Sequence, residues 1–313
     1  MRETIDLYLI SGFLGAGKTT FLQRLLEEFQ GKKVGVIVNE FGSIGIDGAL
    51  IERNGIQMVE INNGSIFCSC LKGGFVKTLI GFSKEEIDVL VIENSGMADP
   101  SNMHRLLDGL GDKVGRSYTY RGAVCVLDAV TFLKYVQVLS PVQNQVATSN
   151  FIILNKIDLI NQTTIEEIHA KVKELNPEAF IYETMFSEVP LAVLEERLMD
   201  NGYVGETSNH TYNRMATYSL ECMEDVELAP CKKFIKKLMP RLLRMKGFVR
   251  TAEGWHQVDV VGDYVVIKES KLHKWDVIDH TKLVVIGSGP EEFKDEMLEL
   301  WEKYCKVPVK IYE

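Results

Sequence analysis

The chain opens on short, unbroken apolar runs separated by longer stretches in which apolar residues recur every three or four positions. The runs at 5–10, 34–39, 87–93, 122–128, 151–155 and 180–182 do not alternate with polar residues, the pattern of strands buried on both faces of a sheet. Between them, 164–175 and 191–199 carry helical spacing, as do Phe21, Leu22, Leu25, Leu26 and Phe29. Alternation of this kind predicts an α/β domain with a mostly parallel sheet flanked by helices. The polar, glycine-containing stretch from Asn201 to His210 ends the pattern, and the expected boundary falls there, with one domain at 1–205 and another at 206–313. Beyond it, alternating runs at 216–222, 256–261 and 264–267, a strand at 283–286 and a closing helix at 291–304 predict a small α+β C-terminal domain with an antiparallel sheet. The basic residues from Lys232 to Lys246, interleaved with Phe234, Leu238 and Leu242, read as one amphipathic helix. Its charged stripe is either a solvated face or a docking face for an acidic partner.

Chemistry enters at Gly12-Phe13-Leu14-Gly15-Ala16-Gly17-Lys18-Thr19-Thr20, which follows the first apolar run and opens the first helical pattern. Glycines in a strand-to-helix turn let backbone N–H groups curl around phosphate oxygens at the positive end of a helix. Lys18 adds a cation for the outer phosphates and Thr19 a hydroxyl for Mg²⁺, so this is the phosphate-binding loop of a P-loop NTPase. The run at 151–155 ends on Asn155-Lys156-Ile157-Asp158. The Asp158 carboxylate can accept from the N1–H and 2-amino groups of guanine. Adenine would leave it unpaired, so the expected nucleotide is GTP. Asn155 is expected at the other purine edge and Lys156 over the base and loop. Glu93, at the end of another apolar run, is either a hard oxygen ligand for Mg²⁺ or a strand-end carboxylate. Gly96 offers a backbone N–H that can sense the γ-phosphate.

Composition narrows the class. With 313 residues, 46% of them hydrophobic, the chain is long enough for two ordinary globular domains. No apolar run approaches the ~20 residues of a membrane span, so a cytoplasmic protein without membrane contact is expected. A formal charge of −9 argues against a nucleic-acid partner. The six cysteines are scattered apart from Cys68 and Cys70, which favours reduced thiols over a disulfide framework. Of the histidines, His104 follows the Asp99-Pro100 turn within reach of the cysteine loop.

Taken together, these motifs resemble the CobW-like GTPases, relatives of the nickel-insertion GTPases that serve hydrogenase and urease. The resemblance covers nearly the whole chain. Besides the phosphate loop and Asn155-Lys156-Ile157-Asp158, it rests on Asn39-Glu40-Phe41-Gly42 with Gly45-Ile46-Asp47, and on Glu93-Asn94-Ser95-Gly96-Met97-Ala98-Asp99-Pro100, which looks like the family's switch segment. Lys246-Gly247-Phe248, Trp275 and Leu283-Val284-Val285-Ile286-Gly287 look like its C-terminal module. Glu40 and Asp47 sit in a second switch-like loop, where metal, water and a helix cap all remain open as roles.

One departure bears on function. Where the family has Gly-Cys-x-Cys-Cys, this chain reads Gly64-Ser65-Ile66-Phe67-Cys68, followed by a thiol the pattern lacks, Cys70; Ser43 also stands in place of a family Glu. Cys68 and Cys70, completed by Glu40, a histidine or a partner protein, can begin a soft site for Zn²⁺ or Co²⁺. Equally, they can be two small buried thiols at a helix start. The resemblance implies a slow switch GTPase that delivers a metal or metallocofactor to a client metalloprotein or corrinoid-dependent protein, with hydrolysis accelerated by a partner or in a homodimer. The alternative is a GTP-gated activation chaperone with no metal cargo. A small-molecule kinase is disfavoured by the guanine-type motif.

Overall fold

The computed structural model describes residues 4–40, 56–62, 72–96, 98, 100–200, 202, 216–262, 264–270, 279–287 and 290–312. They fall into two compact units, and the expected boundary at 205/206 lies outside the described residues.

In the first unit the described strands are β1 (Thr4–Ser11), β2 (Val34–Glu40), β3 (Ile56–Asn62), β4 (Val89–Glu93), β5 (Ser117–Asp128), β6 (Phe151–Asn155) and β7 (Phe180–Thr184). They pair in the order β3-β2-β4-β1-β5-β6-β7, parallel throughout. Parallel strands need crossovers, and among the described residues these run through α1 (Lys18–Glu28), α2 (Lys72–Phe82), α3 (Met103–Asp108), α4 (Phe132–Tyr135), α5 (Ser140–Thr148) and α6 (Gln162–Leu175), while α7 (Leu191–Arg197) follows β7. The side-chain period of two sends Ile5, Leu7 and Leu9 to one face of β1, where Phe75, Leu79 and Phe82 of α2 cover them. Tyr8 and Ile10 point to the other face, against Phe21, Leu22 and Leu25 of α1 and Leu194 of α7. Burying strands on both faces is why their sequence runs are unbroken. Strand β3 stands at the sheet edge and, interrupted by Gln57 and Glu60, did not read as a strand.

The second unit is a six-stranded sheet in the order β11-β10-β9-β12-β8-β13, formed by β8 (Ala216–Cys222), β9 (Leu242–Thr251), β10 (Gly254–Val261), β11 (Tyr264–Ser270), β12 (Thr281–Gly287) and β13 (Lys310–Tyr312). All its pairings are antiparallel. Helices α8 (Leu228–Leu238) and α9 (Pro290–Tyr304) cover one face. Phe234 meets Trp301 edge to face at 5.1 Å, and the Trp301 indole N–H donates to Val307 O at 3.0 Å, so the largest core side chain is also polar-satisfied. The single basic helix expected from Lys232 to Lys246 is corrected here. Helix α8 stops at Leu238, and Arg244 and Lys246 lie on strand β9. Pro240 is the cause, because proline has no N–H to donate and disfavours helix in the residue before it. Among the described residues no helix is long and apolar enough to cross a membrane.

Candidate functional site

The chain's connections turn to opposite sides of the sheet at β1, whose neighbours are β4 and β5. The carboxyl end of such a strand opens a crevice that receives ligands in α/β folds. The phosphate loop lies there, between β1 and α1. Gly12, Gly15 and Gly17 have φ of 132°, 76° and 109°, values reserved for glycine in practice. At Gly17, the residue before α1, a Cβ would also stand 2.5 Å from the Asn155 amide nitrogen and 2.7 Å from the Ser187 hydroxyl. Lys18 is buried and its Nζ donates to Phe13 O at 3.1 Å, which folds the ammonium back over the loop. Ala16 is buried at the turn and Thr20 is exposed on the first turn of α1.

The end of β4 completes the phosphate half. The Thr19 hydroxyl donates to Glu93 Oε1 at 2.9 Å, joining the loop to the end of β4. Glu93 is only 5% exposed, so its charge is held where water screens it poorly. After β4 the chain passes so close to the loop that a Cβ on Gly96 would stand 2.7 Å from Leu14 N. Behind the loop, the Cys125 thiol of β5 is pushed up to about 12 by burial, which outweighs the opposing effects of Ser11 and Lys18. It stays a neutral thiol.

The base half is knitted to the loop by side chains. Asn155 Nδ2 donates to Ala16 O at 2.8 Å, while its Oδ1 accepts from Ser187 N at 2.9 Å. The Ser187 hydroxyl donates to Gly17 O at 3.1 Å. Lys156, at a left-handed φ of 66°, sends Nζ to Gly15 O at 2.9 Å and to Asp128 Oδ2 at 2.6 Å. Asp128 in turn accepts from Val130 N at 2.8 Å through its other oxygen. Asp158 sits on the 3₁₀ turn Ile157–Leu159 with an exposed carboxylate.

Asp128, Gln145 and Ser187 were not singled out in the sequence, and no short motif marks them. Gln145 of α5 is fully buried and donates through Nε2 to Gly96 O at 3.2 Å and Ala98 O at 2.9 Å, pinning the segment after β4. Gln145→Leu is expected to leave both carbonyls without that donor and to lower stability by about 1–3 kcal/mol, read as a shift in the urea midpoint of the nucleotide-free protein. An unchanged midpoint would show that the two bonds carry nothing.

The tentative metal set fares differently. Cys68 and Cys70 lie outside the described residues, as does the side chain of Glu40, which ends β2. The four described cysteines, Cys125, Cys222, Cys231 and Cys305, are buried. Among the described residues no group of three or more His, Cys, Asp or Glu side chains is gathered for a metal ion. His104 is taken by Asp200, with Nε2 2.9 Å from Oδ1, and packs edge-on against Tyr120.

Comparison with known families now bears on this site. Residues 6–183 match the CobW/HypB/UreG nucleotide-binding domain, and 215–304 match the cobalamin synthesis protein CobW C-terminal domain. The chain belongs to the CobW/HypB/UreG family. It is a GTPase with a CobW C-terminal domain. Among its curated relatives, the zinc chaperone YjiA of Escherichia coli is 29% identical, over 78% of this chain and 81% of YjiA. The zinc chaperone CobW of Pseudomonas aeruginosa is 27% identical, over 89% of this chain and 86% of that protein. Among solved structures, the Zn(II)-bound YjiA GTPase aligns over 97% of this chain and 99% of YjiA, at 23% identity and a TM-score of 0.48.

Proposed function

We propose that this CobW-family GTPase is a metallochaperone that couples GTP hydrolysis to handing a metal ion to a client protein. The observation that carries the coupling is the Thr19–Glu93 hydrogen bond at 2.9 Å, which makes the phosphate loop and the segment leading to Gly96 one connected unit. A hydroxyl and a carboxylate are hard oxygen donors of the kind Mg²⁺ takes. Thr19 and Glu93 would hold that ion, which supplies charge neutralisation across the β- and γ-phosphates.

The chain's own groups do the rest. Lys18 exchanges Phe13 O for the outer phosphate oxygens, and the loop amides that follow Gly12, Gly15 and Gly17 donate to the others. Asp158 selects guanine, while Asn155 and Lys156 keep the base loop fixed against the phosphate loop. Water attacks the γ-phosphorus, the bond to the β-phosphate oxygen breaks, and GDP and inorganic phosphate leave. Gly96 loses its γ-phosphate contact at that moment, releasing the segment it belongs to. Relatives named as zinc chaperones support a Zn²⁺ cargo, which Cys68 and Cys70 would hold as thiolates. In this reading Glu40, a histidine or the client supplies the missing ligands.

A second reading, activation of a client without metal cargo, is favoured by Ser65 and Phe67, which stand where the family pattern has thiols. Titrating Co²⁺ into the reduced protein separates the two. The delivery reading expects thiolate-to-metal charge-transfer absorption, lost in the Cys68→Ser, Cys70→Ser variant, with affinities differing about 5–150-fold between GDP and GTP-analogue states. Absence of thiolate ligation in every nucleotide state would leave only the second reading.

A further inference from the structure

Helix α8 exposes Lys232, Lys233, Lys236 and Lys237, and among the described residues no ion pair engages any of the four. Arg241, just beyond the helix, is by contrast taken by Glu292 at 3.1 Å and Glu296 at 3.2 Å. Lys232, Ile235, Lys236 and Met239 follow the i, i+3, i+4, i+7 spacing, so they share one face. That face is one wall of a groove of about 430 Å³, and the other wall is Val265 and Ile267 of β11.

The register explains why the groove is apolar and open. Val265 pairs with Val260 and Ile267 with Val258, and Val258 and Val260 are core residues beneath the helices. Val265 and Ile267 therefore stand on the same sheet face, at the strand where helical cover runs out, and Val265 is 41% exposed. β11 is also the last strand in the order, and among the described residues no strand pairs with its outer edge, whose backbone N–H and C=O groups face outward.

We propose that the groove between α8 and β11 docks an acidic, extended segment of a partner polypeptide, added to the sheet as a strand beside β11. Backbone hydrogen bonds to a sheet edge supply affinity, and alternate side chains supply selectivity. The groove-facing side of such a strand, every second residue, meets both the aliphatic floor and the Lys232 and Lys236 ammoniums, so apolar and acidic residues must share that side. A concentrated basic patch on a chain of formal charge −9 also orients an approaching acidic partner toward this face. Phosphate backbones fit less well, since the groove floor is aliphatic and offers no polar side chain beyond the lysines.

The test uses the full chain and a fluorescein-labelled, ten-residue peptide in which Glu and Val take turns at every second position with Thr between them, so that both face the groove, followed by anisotropy. Binding in the range of about 10–100 µM is expected at low salt, weakening as salt is raised. Lys232→Glu with Lys236→Glu should weaken it at least about tenfold, and Val265→Ser about threefold, both at exposed positions whose thermal midpoints should hold. The same peptide with Lys in place of Glu, or the Glu-Val peptide N-methylated at every second residue, should not bind. The proposal is overturned if the Glu-Val peptide fails to bind, binds the charge-reversed protein equally well, or tolerates N-methylation. It is equally overturned if the lysine substitutions alter only self-association of the chain or only its binding to phosphatidylserine vesicles.

Discussion

Lys18→Ala is expected to reduce GTP hydrolysis by at least about 10³-fold, below detection in a phosphate-release assay, while the protein keeps its thermal midpoint within a few degrees. The buried ammonium donates to the Phe13 carbonyl of its own loop, so the substitution removes a charge from the loop itself. In the reaction it is the one side-chain cation of the phosphate loop, and losing a preorganised charge from a desolvated site costs several kcal/mol of transition-state stabilisation. Glu93→Gln provides the finer measurement. Its amide oxygen can still accept from Thr19, so the 2.9 Å link survives sterically while the charge is removed. Nucleotide binding should change little and Mg²⁺-dependent turnover should fall about 10²-fold. Wild-type turnover in Glu93→Gln would make Glu93 a structural carboxylate alone.

The second large effect concerns the base. Wild-type protein should bind GTP at least about 100-fold more tightly than ATP, because adenine leaves the Asp158 carboxylate without donors. Asp158→Asn should lose most of that affinity and gain xanthine nucleotides, whose ring edge reverses the donor at the matching position. Calorimetric titration with the three triphosphates checks both statements, and equal ATP and GTP affinities would remove Asp158 from the base site. Because Asp158 is exposed and its turn is short, the substitution should leave stability within about 0.5 kcal/mol, so a change in preference cannot be blamed on unfolding.

Much of the first unit was legible because burial on both faces writes itself as unbroken apolar runs, and because the phosphate loop and Asn155-Lys156-Ile157-Asp158 are each contiguous. What escaped was whatever depends on sheet order. Ser187 meets Gly17 across 170 positions, and Asn155 meets Ala16 across 139, contacts that exist only once β1, β6 and β7 lie near one another. Gln145 likewise looks like any helix glutamine until α5 is laid beside the segment after β4. In the second unit the error was local and avoidable. Pro240 ends the helix that the spacing of the basic residues alone predicts. The cysteine pair that the family resemblance brings forward lies outside the described residues, so its chemistry is for the metal titration to decide.

The hydrogen bonds that hold Asn155, Ser187 and Lys156 to the phosphate loop are already made in the nucleotide-free protein, so on the proposed reading the base site is formed before guanine arrives. Guanine would then bind with little further ordering of its site, and the affinity gained there would be indifferent to whether two phosphates or three follow. On that reading base recognition is a constant anchor for GDP and GTP alike. Discrimination between them is left to the few groups around Thr19, Glu93 and Gly96. A protein built this way would leave its nucleotide slowly, and its cycle would be paced by exchange as much as by bond cleavage.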